Sequence, residues 1–224
     1  SGLWTAYYLK QLQPDARIAV VEANQVGFGA SGRNGGWCSG FLPMTLSEIE
    51  HQHNRQQAIE MYKQSFATLD EIEQVITLEK INCDYHRGGT IHGATNAVQR
   101  NRVIDDVKQL HDYGFDEGDS RMLTPEESLA KINIRGLLAS SYTPHCAVIH
   151  PAKLVSGLAD VVERMGVKIY ENSRVIEISP RTLKIRDIQV SADVIVRATE
   201  GFTSQIRRHR RTFASLYSYM VTTE

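Results

Sequence analysis

Cysteine is scarce in this chain, and what there is does not pair. Cys38, Cys83 and Cys146 are far apart, odd in number and include no CxxC. That pattern argues against a disulfide framework or a cysteine-rich zinc site. It points to a reducing compartment, so a cytoplasmic location is expected. Long apolar runs are missing too. No stretch approaches the roughly 18 residues of a spanning helix, and no membrane span is expected. Neither sign of charge dominates, since 25 Lys and Arg stand against 26 Asp and Glu for a net charge of −1. No global field draws the chain to nucleic acid. The basic run at 207–211 has no interleaved aromatics and reads as a solvated turn. His51 and His53 do not share a helix face, and no acid or cysteine cluster backs them, so no metal site is expected. No Ser-His-Asp or Cys-His arrangement suggests hydrolysis.

What is present is ordinary globular material: 224 residues, 42% hydrophobic, enough for one large domain or two small ones. Leu3, Ala6, Tyr7, Leu9 and Leu12 recur at helical spacing, which predicts a helix over 2–12. Pro14 and Asp15 then turn the chain. "RIAVVE" (17–22) is a short apolar run closed by an acid, predicting a buried parallel strand. "VGFGASGRNGGWCSG" (26–40) has six glycines in fifteen residues and predicts a loop of special backbone geometry. Helical patterning follows from Leu46 to about Lys80 and over 96–113. Thr124 and Pro125 open a third helical stretch (124–132) as N-cap and first residue. "LLASSYTP" predicts a strand that stops at Pro144. Residues 150–166 predict a helix beginning with proline and followed by glycine. Short strands are expected from 167 to 198, the last over Asp193–Ala198.

Two constellations carry chemistry. Gly2 and Glu22 are 20 residues apart, about the separation between the glycine turn of a dinucleotide-binding βαβ unit and the acid that grips the ribose. A helix N-terminus favours a pyrophosphate, and a carboxylate at a strand end can accept hydrogen bonds from ribose hydroxyls. The same spacing suits any α/β domain whose strand ends in Glu. The second constellation is "GFGASGRNGGW" (27–37), whose backbone N–H groups can form an anion nest. Arg33 adds a fixed charge and Asn34 a donor and acceptor. Gly35 and Gly36 permit backbone to approach a flat ring.

"VVEANQVGFGASGRNGGW" resembles the segment after the ribose acid in FAD-dependent oxidoreductases of the D-amino-acid-oxidase-like (DAO) family, most of all its amine-oxidoreductase branch. The resemblance extends to "HPAKLVSGLADVVERMGVKIYENSRVIEI" and to "ADVIVRATEGFT". It implies that Glu22, followed by Ala23, binds the adenosine ribose. It puts Gly29, Ala30, Ser31, Gly32, Arg33, Asn34, Gly35 and Gly36 along the pyrophosphate and ribityl chain, with Trp37 near the isoalloxazine. Val175 is the implied adenine contact, and Ala198, Thr199 and Gly201 are implied at the pyrophosphate. Gly2 stands as the last glycine of a Gly-x-Gly-x-x-Gly turn, the only one of the three present, and the family also continues beyond "SYMVTTE". The chain is therefore expected to be an internal fragment.

The expected architecture is α/β. A Rossmann-like FAD-binding domain (1–43 and 144–205, first strand missing) is interrupted by an incomplete α+β substrate domain (44–143 and 206–224). The expected function is FAD-dependent oxidation of the C–N bond of a small amine or amino acid by hydride transfer to flavin, with no catalytic acid or base assigned. The alternatives are an NAD(P)-dependent Rossmann dehydrogenase and a non-catalytic piece that binds no cofactor alone.

Overall fold

Gly2–Leu12 forms helix α1, as its periodicity requires, and buries Ala6 and Tyr7. Three residues of the apolar run that follows make strand β1 (Ala19–Val21). The glycine-rich stretch contains only a single 3-10 turn, Ala30–Gly32, and then strand β2 (Trp37–Ser39). The structure is a computed structural model that describes residues 1–211, 214 and 216. It divides into two compact units. The first comprises residues 1–35, 81–83 and those from 150 onward; the second comprises 36–80 and 84–149.

The second unit is inserted in the sequence of the first and is α+β. Helices α2 (Leu46–Gln52) and α3 (Arg55–Leu78) replace the single helical stretch expected over 46–80. They separate because Asn54 ends one pattern and caps the next, its side chain accepting from the Gln57 N–H at 2.9 Å. Strand β3 (Thr90–Ala94), helix α4 (Ala97–Asp112), strand β4 (Arg121–Met122), helix α5 (Pro125–Lys131), strand β5 (Ala139–Thr143) and strand β6 (Cys146–Val148) complete the unit. β5 lies between β3 and β4 in an antiparallel sheet, and β2 pairs antiparallel with β6. The core is aromatic: Tyr62, Phe66 and Phe115 are buried with Leu46, Ile49 and Leu110. His145 stacks flat on Phe66 at 3.6 Å.

Helix α2 begins with a capping box. The Glu48 N–H donates to the Thr45 hydroxyl at 3.3 Å, and the Thr45 N–H returns a bond to the Glu48 carboxylate at 2.7 Å. The bond from the Thr45 backbone, with that from its hydroxyl, holds the Glu48 carboxyl below the usual range. Thr45→Ala is expected to cost about 1 kcal/mol, or about 2–4 °C in Tm, in a thermal melt near neutral pH. Because the folded-state pKa is depressed, the carboxylate's share is present above the unfolded value and is lost as pH falls through the folded one. The difference between wild type and variant should therefore shrink on acidification.

The first unit resumes with helix α6 (Pro151–Arg164), whose Leu154, Leu158, Ala159, Val161 and Val162 are buried. It is followed by β7 (Lys168–Tyr170), which pairs parallel with β1, Ala19 opposite Lys168 and Val21 opposite Tyr170. A helix directly before the second of two parallel strands is the crossover geometry of an α/β unit. Strands β8 (Val175–Ser179), β9 (Thr182–Ile185) and β10 (Ile188–Ser191) form an antiparallel meander. Among the described residues, no helix is long and apolar enough to cross a membrane.

Two expectations require correction. β1 is parallel, but Ala19 is exposed and Val20 and Val21 only half-buried; its one ladder partner among the described residues is β7. Asp193–Ala198 is not a strand. It is irregular, with Val194 78% and Val196 55% exposed, because no described strand offers it a ladder. Residues 206–211 group with the first unit and not with the inserted one. There Ile206 is buried and the Arg207 N–H donates to the Ile176 carbonyl at 3.1 Å. The rest of that expected tail lies partly outside the described residues.

Candidate functional site

Helix α1 begins at Gly2. The first intrahelical bond runs from the Thr5 N–H to the Ser1 carbonyl at 3.0 Å, and Ser1 makes no side-chain cap. A helix beginning this way directs its first amides and its positive dipole end at whatever lies before it. Gly2 meets Ala198 there: a Cβ on Gly2 would lie 3.4 Å from the Ala198 Cβ. The Ser1 hydroxyl donates to the Glu200 carboxylate at 2.7 Å, and the Thr199 and Thr203 hydroxyls share a hydrogen bond of 2.7 Å. Residues 200–205 form a 3-10 turn. Gly2, Ala198, Thr199 and Gly201, implicated by different parts of the sequence, therefore share one end of the first unit.

The glycine loop reaches the same end. A Cβ on Gly29 would lie 3.1 Å from the Phe202 ring, and one on Gly27 would lie 3.4 Å from Val155 of α6. The loop folds tightly on itself, since a Cβ on Gly32 would come within 2.2 Å of the Gly27 carbonyl oxygen. The Asn34 side chain donates to the Ala30 carbonyl at 2.9 Å and so braces the turn over Ala30, Ser31 and Gly32. Arg33 lies over the Phe28 ring, 4.1 Å from its centroid, a cation–π contact that leaves the guanidinium at an exposed position.

Glu22 lies at the carboxyl end of β1, half-buried. Its N–H donates to the Tyr170 carbonyl at 2.9 Å, and its own carbonyl accepts from the Ser173 N–H at 2.8 Å. The Glu22 carboxylate accepts from the Asn24 N–H at 2.9 Å through Oε1, which turns the side chain back over its own strand end. Ala23 follows, half-buried. Val175 opens β8 two residues after Ser173 and is half-buried.

Gly36 and Trp37 belong to the second unit. Gly36 is buried with φ +73°, and its carbonyl accepts from the Ile149 N–H at 2.9 Å. Trp37 begins β2 opposite Val148 and is 65% exposed. Burial pushes the Cys146 thiol above its ordinary range, opposed by a hydrogen bond from the Trp37 side chain. Gly35 is exposed and ends the first stretch of the first unit.

Sequence reading missed Phe202, which brings the loop to the 200–205 turn, and Glu171, whose carboxylate accepts from the Val26 N–H at 2.8 Å. A signal for Glu171 existed: it is a second acid directly after a short predicted strand, placed as Glu22 is.

Residues 1–224 match the family described as FAD dependent oxidoreductase (DAO). The chain belongs to that family. It is 28% identical over 208 residues to gamma-glutamylputrescine oxidoreductase of Escherichia coli (strain K12), covering 90% of this chain and 47% of that protein. It is 25% identical over 231 residues to the probable oxidoreductase OrdL of Haemophilus influenzae, covering 96% and 52%. The chain thus spans about half the length of the curated relatives it matches. Among solved structures, glycine oxidase from Geobacillus kaustophilus superposes with a TM-score of 0.66 at 18% identity, covering 86% of this chain and 50% of that one. At that identity the likeness shows a shared fold. The family's cofactor, FAD, suits the residues present. The start of α1, with no side-chain cap, lies against Ala198 and the glycine turn lies against Phe202, and a half-buried carboxylate closes the parallel strand. These are the donor and acceptor types that a pyrophosphate and a ribose require.

Proposed function

We propose that this chain binds FAD through its first unit and serves the oxidation of an amine or amino acid at the carbon bearing nitrogen. In this reading the amides at the start of α1, with Gly2, face the pyrophosphate. Ala198, Thr199 and Gly201 bound it from the other side. Glu22 accepts from the ribose hydroxyls, Val175 borders the adenine, and the loop from Gly29 to Gly35 lies along the rest of the cofactor. The observation that carries the reading is the contact of Gly2 with Ala198 at an uncapped helix N-terminus. It joins two segments almost two hundred residues apart around one anion-binding position.

Bound FAD would supply the hydride acceptor: loss of hydride from the carbon and of a proton from the nitrogen to solvent would leave an imine, which water would hydrolyse. The protein's part is to hold and orient. The names of the relatives, gamma-glutamylputrescine oxidoreductase and glycine oxidase, bring amines and amino acids to this chain as the substrate classes to try.

The test is spectroscopic. Purified protein should carry, or take up, flavin and show its visible absorbance. An amine or an amino acid added without oxygen should bleach that absorbance. A colourless protein that binds NAD and ignores FAD would overturn the proposal.

A further inference from the structure

Two acids end the two parallel strands of the first unit, Glu22 after β1 and Glu171 after β7. The bonds around them differ in kind. Residues 22–24 are held beside 170–173 by main chain alone: Glu22 N–H to Tyr170 O (2.9 Å), Ser173 N–H to Glu22 O (2.8 Å) and Asn172 N–H to Asn24 O (2.7 Å). Beyond Asn24 a side chain takes over. The Val26 N–H donates to Glu171 Oε1 at 2.8 Å, across 145 residues of sequence. Val26 immediately precedes Gly27, the residue on which Gly32 closes the glycine loop. Glu171 therefore grips the chain between the strand-end acid and the loop.

We propose that Glu171 is a positioning residue that sets the placement of the glycine loop relative to Glu22, and so the affinity for ligands that reach from the ribose acid to the loop. The proposal rests on the FAD reading above. The Glu171 carboxylate need not touch the cofactor. The backbone bonds fix Glu22 whatever residue stands at 171, so a ligand engaging only the Glu22 end should be indifferent to Glu171. A dinucleotide must satisfy Glu22 and the loop amides together, and misplacing one relative to the other lowers its affinity.

The experiment compares wild type with Glu171→Ala and Glu171→Gln. FAD affinity is read by flavin fluorescence quenching, and adenosine affinity by its displacement of FAD. An acceptor of one backbone N–H at an exposed position corresponds to about three- to tenfold in FAD affinity for Glu171→Ala. Glu171→Gln keeps an acceptor oxygen and should recover most of that loss, while the adenosine dissociation constant, corrected for each protein's FAD affinity, should be the same in all three proteins. Unchanged FAD affinity in Glu171→Ala overturns the proposal and leaves the cofactor reading standing. So does adenosine affinity that falls in step with FAD, which marks a merely structural role. A wild-type protein that takes up no FAD overturns the cofactor reading, and this inference with it.

Discussion

Glu22→Ala is expected to weaken FAD binding by about ten- to a hundredfold. That range corresponds to about 1.4–2.8 kcal/mol at about 1.4 kcal/mol per decade, the worth of a hydrogen bond to a charged acceptor. The fold itself should survive, because the backbone bonds of Glu22 to Tyr170 and Ser173 do not involve the side chain. Glu22→Ala removes two things, the negative charge and the acceptor of the Asn24 N–H. Glu22→Gln separates them: an amide oxygen can still accept from Asn24, and only the charge is lost, so its effect should be the smaller. Flavin-to-protein absorbance and a fluorescence titration measure both variants. Unchanged flavin content and affinity in Glu22→Ala would remove Glu22 from the cofactor site.

The second large effect concerns stability. The resemblance implies a place for Gly36 in the cofactor loop, yet the second unit gives it a reason of its own to be glycine. Its φ of +73° costs an L-residue about 1–2 kcal/mol. A Cβ there would also come within 2.0 Å of the Ile149 carbonyl oxygen, a backbone atom that cannot swing aside. Relieving that overlap displaces the chain that receives the Ile149 N–H bond at the start of β2, with an overpacking cost of about 1–3 kcal/mol. Gly36→Ala should therefore lose about 3 kcal/mol, or about 6–12 °C in Tm, with no flavin added. Gly114 is the control. Its φ is +91°, but nothing lies within 4 Å of its Cβ position. Gly114→Ala should show the backbone cost alone, about 1–2 kcal/mol. Equal melting temperatures for the two variants would show that the carbonyl overlap is not felt.

These two glycine and acid positions also show how far the sequence could be read. The identity of Glu22 as a strand-end acid was legible, because a short apolar run closed by Glu is a local pattern. Its hydrogen bond to Asn24 is local as well, spanning two residues. The glycine loop was legible as a loop, but it carried two different demands. Gly32 is required by the loop's own fold onto Gly27, whereas Gly36 is required by a carbonyl more than a hundred residues away. Composition alone cannot separate those demands.

The helices illustrate the same division. α4, α5 and α6 lie where their periods predict, Thr124 caps α5 as its position suggests, and the structure adds Asn96 as the cap of α4. The long helical stretch after Leu46 hid a break, because Asn54 as an N-cap looks like any polar residue until the chain before it has stopped being helical.

By itself the sequence determined the features that close within a few residues: helix periods and their caps, the acid at the end of β1, the glycine loop, and the family those motifs resemble. The tertiary structure alone decided which extended segments found partners. β1 and β7 paired in parallel, while the equally apolar Asp193–Ala198 stayed irregular, since a strand exists only where another backbone completes its hydrogen bonds. It also decided that Val26 is held by Glu171 and that Gly2 meets Ala198. Such contacts follow from how distant segments are brought together, and no local pattern in either segment encodes the other's position.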